Sequence, residues 1–96
     1  MRYFHRTSVR LEDVLPEAER FFGSGLSASG RTLRSRTFSG PIGTIKVTAR
    51  AEGGHYTLVT VETDQVGEAE LDKRAKRFLS TVHQRVEPTH ALRGAY

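Results

Sequence analysis

The feature that most constrains this chain is a pair of alternating runs around Gly53-Gly54, from Thr44 to Thr63. Apolar and polar residues alternate on both sides of the glycines in TIKVTARAEGGHYTLVTVET. Alternation with many β-branched residues predicts two strands, and glycine tolerates the positive φ of a tight turn. We therefore predict a β-hairpin, one face of which the rest of the chain must cover.

A three-residue loop, Gly53-Gly54-His55, separates the two faces of this hairpin. Directly opposed residues of antiparallel strands share a face, so a slip of one residue turns one strand over. With this loop, the apolar face pairs Ala51 with Thr57, Ala49 with Val59, Val47 with Val61 and Ile45 with Thr63. The polar face then pairs Glu52 with Tyr56, Arg50 with Leu58, Thr48 with Thr60 and Lys46 with Glu62. A two-residue loop would scatter Val, Thr and Glu over both faces.

Composition limits the classes of protein to consider. The chain has 96 residues, which suffices for one domain with a modest core. It has no cysteine, which excludes disulfides, thiolate metal sites and thiol nucleophiles. The formal net charge of +4 makes an acidic partner plausible. No apolar run has the length of a signal peptide or a membrane span, so we predict a soluble, cytoplasmic protein without a transmembrane segment.

A strand and a helix are predicted at the start of the chain. Alternation from Tyr3 to Val9 indicates a first strand, whose buried face the sequence does not identify. The run RLEDVLPEAERFFG has apolar residues at helical spacing, with Asp13 as the expected N-cap and Pro16 in the first turn. The Ser- and Gly-rich stretch from Ser24 to Gly30 is predicted to be a flexible connection.

Residues 31–38, RTLRSRTF, form a third extended run next to the hairpin. With Phe38 opposite Thr44, the side chains of Arg34, Arg36 and Phe38 lie on the polar face. The other register would bury Arg34 and Arg36, and unpaired buried guanidinium groups cost several kcal/mol. We therefore predict the first register.

The strongest helix signal runs from Glu68 to about Val86. Its apolar stripe consists of Leu71, Ala75, Phe78, Leu79, Val82 and Val86. Pro88 is expected to end the helix. The predicted organisation is one α+β domain over residues 1–87, followed by a loose tail over residues 88–96.

The predicted order of elements is β-α-β-β-β-α. Short links favour a four-stranded antiparallel sheet in the order 1-4-3-2, with both helices on one face. The elements are the strand MRYFHRTSV, the helix VLPEAERFF, the antiparallel meander and the closing helix LDKRAKRFLSTVHQRVE. In this order they resemble a shortened helix-grip protein of the START/Bet v1-like (polyketide-cyclase-like) superfamily. The resemblance implies a sheet that grips a long helix around a ligand site. It transfers no site residue.

No combination of residues predicts catalysis. The four histidines, His5, His55, His83 and His90, lack the spacing of metal ligands, and no serine has the context of a nucleophile elbow. The glycines of GSGLSASG follow a helix and do not join a strand to a helix, which argues against a phosphate loop. We predict no enzyme, no cofactor and no metal site.

The polar sheet face is the candidate site. Its predicted members are Arg34, Arg36, Phe38, Lys46, Arg50, Tyr56 and Leu58. The favoured hypothesis is a binding or assembly domain that forms a homo-oligomer, a dimer first of all, through this face. Cations interleaved with aromatic rings also suit RNA or single-stranded DNA, which is the first alternative. The second alternative is a small hydrophobic or acidic ligand in a helix-grip-like groove.

Overall fold

A computed structural model of the protein describes residues 1–66 and 69–86, the side chains of residues 85 and 86 excepted. The elements are β1 (Arg2–Thr7), α1 (Leu11–Phe22), β2 (Ser27–Thr32), β3 (Ser35–Gly40), β4 (Gly43–Glu52), β5 (Tyr56–Thr63) and α2 (Glu70–Val86). All neighbouring strands are antiparallel, in the sheet order β1-β5-β4-β3-β2. Both helices pack on one side of the sheet. We call that side the inner face and the opposite side the outer face.

The predicted hairpin is confirmed as β4 and β5. Val47 pairs with Val61 and Ala49 with Val59, in the predicted register, and residues 53–55 form the loop. Gly54 and His55 have φ values of 76° and 70°, the left-handed conformation that such a loop requires. All four paired side chains are fully buried. The hairpin therefore forms the centre of the inner face, as expected.

The α+β class is confirmed, but the sheet has five strands and not four. The four predicted strands lie in the predicted order, and β2 is added at the edge beside β3. The prediction of a flexible connection from Ser24 to Gly30 was wrong for its second half. All six residues of β2 are exposed. Because neither side of the strand is buried, its sequence shows no alternation of apolar and polar residues from which a strand could be predicted. Its backbone pairs with β3 instead, with a bulge between Ala28 and Gly30.

The predicted register of the third extended run was wrong by one residue. Phe38 pairs with Ile45, and Ser39, not Phe38, lies opposite Thr44. Phe38 is only 1% exposed, and Arg36, opposite Val47, also lies on the inner face. The observed register buries the phenyl ring of Phe38, whereas the predicted one would expose it. The gain from burying the ring is greater than the cost of placing Arg36 on the inner face, where it has a partner at the margin of the core.

Helix α1 begins earlier than predicted. Arg10 is the N-cap residue, and its carbonyl accepts hydrogen bonds from the amides of Asp13 and Val14. Asp13 is therefore an acidic residue of the first turn and not the cap, and Pro16 lies inside the helix. The buried side of α1 consists of Val14, Leu15, Ala18 and Phe22. The apolar spacing identified the helix correctly, and only its start was misplaced.

Helix α2 confirms the predicted apolar stripe. Leu71, Ala75, Phe78 and Val82 are fully buried, and Leu79 packs against the core. Several predicted features lie outside the described residues: the helix start at Glu68, the side chain of Val86, the helix end at Pro88 and the tail 88–96. Neither α1 nor α2, within the described ranges, is long and apolar enough to cross a membrane.

Aromatic rings fill the space between the helices and the sheet. Phe22 of α1 contacts Phe38 of β3 and Phe78 of α2, with ring centroids 5.5 and 5.2 Å apart, and Phe21 lies 5.6 Å from Phe78. Such pairs add about 0.5–1.5 kcal/mol each beyond the area they bury. The inner face is thus occupied by the protein's own side chains.

Candidate interface on the outer sheet face

The outer face is built by alternation along three neighbouring strands. Its residues are Arg2, Phe4 and Arg6 of β1, Tyr56, Leu58, Thr60 and Glu62 of β5, and Lys46, Thr48, Arg50 and Glu52 of β4. Leu58 lies between two arginines, because it pairs with Arg6 on one side and Arg50 on the other. Phe4 and Thr60 are likewise opposed. No helix of the described chain covers this face.

Large apolar side chains are exposed on this face. Phe4 is 60% exposed and Tyr56 is 48% exposed, while Leu58 between them is partly buried. A single exposed apolar side chain is ordinary on a protein surface. Two exposed side chains and one partly buried side chain on the same open sheet face expose more apolar surface than a single side chain does.

Charges of both signs surround these apolar side chains, and most of the cations are paired. The guanidinium of Arg2 lies 3.1 Å from the carboxylate of Glu62. The carboxylate of Glu52 accepts a hydrogen bond of 2.8 Å from Nε of Arg6 and lies 3.7 Å from the guanidinium of Arg50. These ion pairs are exposed, so each contributes about 0–1 kcal/mol to stability. These ion pairs place an arginine and a glutamate side by side at each end of the outer face. On these three strands, four cations face two carboxylates.

The structure brings together four of the seven residues predicted for the candidate face. Lys46, Arg50, Tyr56 and Leu58 lie on the outer face. Arg34 lies in the turn between β2 and β3, and Arg36 and Phe38 lie on the inner face. Arg2, Phe4 and Arg6 were not predicted for this face. Their alternation was visible in the sequence, but the face they occupy depends on the pairing of β1 with β5, which is distant from β1 in the chain.

Arg36 shows why the register of β3 tolerates an arginine on the inner face. Its side chain is 12% exposed, and Nε donates a hydrogen bond of 2.6 Å to the carboxylate of Glu19 on α1. Nη1 donates to the carbonyls of Thr32 at 2.7 Å and Ser35 at 2.8 Å. The guanidinium is therefore paired and hydrogen-bonded, which offsets the cost of its burial.

The hydrogen bond from Arg36, and then its positive charge and that of Arg31, hold the pKa of Glu19 below its usual value. A lowered pKa in the folded state adds stability above the unfolded pKa that is lost as the pH falls through the folded value. We expect Glu19→Gln to reduce the unfolding free energy at pH 7 and to weaken its decrease between pH 5 and pH 3. Urea unfolding at several pH values measures both effects. Glu12→Gln, exposed at the start of the same helix, is the matched control. If the two variants behave alike, Glu19 does not anchor Arg36.

Shallow depressions accompany the outer face. One, of about 710 Å³, lies beside the hairpin loop and is lined by Arg6, Arg50, Ala51, Glu52, Gly53 and Tyr56. Another, of about 290 Å³, includes Arg2, Phe4 and Leu58. Both are open to solvent and lie on the sheet, so neither encloses a small molecule.

A separate groove runs beside α1. Its volume is about 350 Å³, and its walls are Leu11, Glu12, Leu15, Pro16, Leu33, Arg34 and Arg36. Leu33, at the tip of the β2–β3 turn, is 84% exposed. This groove, and not the outer face, holds Arg34 and borders Arg36.

Within residues 1–66 and 69–86, no group of three or more His, Asp or Glu side chains is arranged to hold a metal ion. The chain matches no protein-family model, no curated protein and no solved structure. The class that fold and site define is thus an α+β domain with one covered and one open sheet face.

Proposed function

We propose that this protein is a non-enzymatic binding or assembly domain that forms a homodimer through its outer face. The observation that supports the proposal is the combination of Phe4, Leu58 and Tyr56 with charges that are already paired within the face. A two-fold interface brings a patch against itself, so the patch must complement its own shape and charge. A surface that carries arginine and glutamate together at each end meets that condition.

The apolar side chains would supply most of the free energy of such an interface. Aromatic residues and arginine are enriched in interfaces, and the central, desolvated aromatic side chains contribute most to affinity. On the outer face, Leu58 of β5 lies between Arg6 and Arg50 of the two neighbouring strands, and Phe4 lies between Arg2 and Arg6 along β1. The ion pairs Arg2–Glu62 and Arg6–Glu52 would form the polar rim and set the orientation of the two copies.

Binding of RNA or single-stranded DNA is the second candidate function. It is favoured by the excess of cations over carboxylates and by the exposed rings of Phe4 and Tyr56, on which bases can stack. It is disfavoured by the pairing of Arg2, Arg6 and Arg50 with carboxylates, which leaves less positive charge for phosphates. Self-association is therefore the better supported of the two.

We retain the helix-grip resemblance as a proposal about architecture. The strand order β1-β5-β4-β3-β2, with a helix after the first strand and a long helix after the last, is compatible with it. The phenylalanine cluster occupies the space between sheet and helices, so a small hydrophobic or acidic ligand would bind in the groove beside α1. A cytoplasmic location also belongs to the proposal and is supported by the absence of cysteine from the sequence.

Light scattering coupled to size exclusion tests self-association. We expect the wild type to elute as a dimer and Phe4→Ser/Tyr56→Ser to raise the dimer dissociation constant by roughly 30-fold or more, because two interface anchors are lost. Leu33→Ser is the matched control, since it removes an exposed apolar side chain outside the outer face. A wild type that stays monomeric at high concentration, or a control that dissociates equally, rejects the dimer.

The same samples test the nucleic-acid alternative. Fluorescence anisotropy with single-stranded RNA and DNA at two salt concentrations should show weak binding if the charges of the face serve mainly assembly. Tight, salt-dependent binding that Lys46→Glu/Arg50→Glu abolishes would favour the alternative, because the reversed charges repel phosphates.

A further inference from the structure

The strand β2 forms one edge of the sheet and leaves half of its backbone open. One side of β2 pairs with β3, and no strand of the described chain pairs with its other side. All six residues of β2 are exposed. Proteins protect such edges with proline, charged side chains or bulges, and β2 has one charged residue, Arg31, and one bulge, between Ala28 and Gly30. Beyond the bulge, residues 30–32 form a regular run whose outward backbone groups are available to one more strand.

A depression of about 450 Å³ lies beside this edge, between β2 and the end of α1. Ala28 and Arg31 border it on the inner-face side, because they pair with Phe38 and Arg36 of β3. Leu26 adds a further apolar wall. The side chains of a strand alternate between its two faces, so every second side chain of an added strand would point toward this depression.

Positive charge predominates in the depression beside β2. Arg31 and Arg36 both line it, together with the carboxylate of Glu19. Glu19 already accepts a hydrogen bond of 2.6 Å from Nε of Arg36. The guanidinium of Arg31 forms neither an ion pair nor a hydrogen bond within residues 1–66 and 69–86. It is therefore available to a carboxylate that a partner supplies.

We propose that the free edge of β2 binds an extended acidic peptide segment of another protein, which joins the sheet as a sixth strand. Main-chain hydrogen bonds to residues 30–32 supply affinity, and the depression receives alternate side chains of the peptide. One of these is an apolar side chain beside Leu26 and Ala28, and the other is a carboxylate that pairs with Arg31. The site is independent of the proposed dimer, because the residues of the outer face lie on β1, β5 and β4.

A second copy of this chain is a poor occupant of the edge. The sheet has two edge strands, β1 and β2, and their sequences, RYFHRT and SASGRT, contain arginine and no Asp or Glu. Pairing of β2 with an edge strand of another copy would add positive charge beside Arg31 and no carboxylate, and like charges across paired strands are destabilising. The edge thus favours a partner of different sequence and opposite charge.

Selection from a phage-displayed library of random ten-residue peptides tests the proposal. We expect the selected sequences to carry an apolar residue and an Asp or Glu two positions apart. Synthetic versions should bind Arg31→Glu about tenfold or more weakly than the wild type, because an attraction becomes a repulsion. Lys73→Glu, the same change of charge at an exposed position of α2, is the matched control and should bind normally. If no peptide is selected, or if none depends on Arg31, the proposal is wrong.

Methylation of the peptide's own amides tests strand addition in the wild-type protein. The N–H groups of an added strand point alternately toward β2 and toward solvent, so N-methyl groups on one alternate set should abolish binding and those on the other should not. Bound peptide should also slow amide hydrogen exchange within Ser27–Thr32. Equal effects of the two sets, or protection confined to other strands, would contradict the proposal. Phe4→Ser/Tyr56→Ser should bind the peptide as the wild type does, which separates this result from the dimer test.

Discussion

Phe78→Ala is expected to lower the free energy of unfolding by about 3–5 kcal/mol, the range for removal of a buried aromatic ring. Phe78 is fully buried, and its ring contacts those of Phe21 on α1 and Phe22 beside it, at centroid distances of 5.6 and 5.2 Å. The substitution would leave a cavity where α1, α2 and the sheet meet. Small domains have total stabilities of about 5–15 kcal/mol, so the loss would be a large fraction of the whole. Urea unfolding followed by circular dichroism measures it.

Lys73→Ala provides the control for Phe78→Ala. Lys73 is exposed on the same helix, and its truncation to alanine is expected to change stability by less than about 0.5 kcal/mol. Similar losses in the two variants would show that α2 does not pack on the sheet through its apolar stripe.

Asp72→Ala should cost about 2–3 kcal/mol. Asp72 is fully buried near the start of α2, and its Oδ1 accepts hydrogen bonds of 2.9 Å from the hydroxyls of Tyr3 on β1 and Thr63 on β5. Alanine would leave both partly buried hydroxyls without this acceptor, at about 1–3 kcal/mol for each group that stays unsatisfied. The carboxyl group therefore connects the closing helix to two strands of the sheet. Chemical unfolding of the variant measures the cost.

Asp72→Asn distinguishes the hydrogen bonds from the space that the side chain fills. Asparagine keeps an acceptor oxygen for Tyr3 and Thr63, so we expect a smaller loss than with alanine. The other carboxyl oxygen, Oδ2, is buried and makes no hydrogen bond within the described structure, so the amide nitrogen of asparagine would lie there without an acceptor and part of the loss would remain. An Asp72→Ala variant as stable as the wild type would show that the two hydrogen bonds are not the source of the stability.

The two sides of the sheet have different physical roles. The inner face contributes to folding, since its hairpin residues and Phe38 are buried against the helices. The outer face contributes little to the core, so we expect replacement of Phe4 and Tyr56 to have a small effect on folding. The proposed dimer thus fails or succeeds independently of the stability predictions for Phe78 and Asp72.

Local patterns in the sequence determined the hairpin and the helices. Gly53, Gly54 and the alternation on both sides of them predicted the loop and the register correctly, because the two strands are adjacent in the chain and only one register gives an apolar face. The stripe of α2 was equally clear, since its apolar spacing is repeated over several turns. The same reasoning assigned Lys46, Arg50, Tyr56 and Leu58 to one face.

Tertiary structure alone decided the remaining features, each of which depends on a contact between residues distant in the chain. The register of β3 follows from the burial of Phe38 and from the pairing of Arg36 with Glu19 on α1, which an argument about unpaired charge cannot anticipate. The strand β2 follows from backbone hydrogen bonds and has no side-chain signature. The exposure of Phe4 and the proximity of His5 to His83 both follow from the pairing of β1 with β5 and the packing of α2 on the inner face, because the face of a strand is set by its neighbours in space and not by its own alternation.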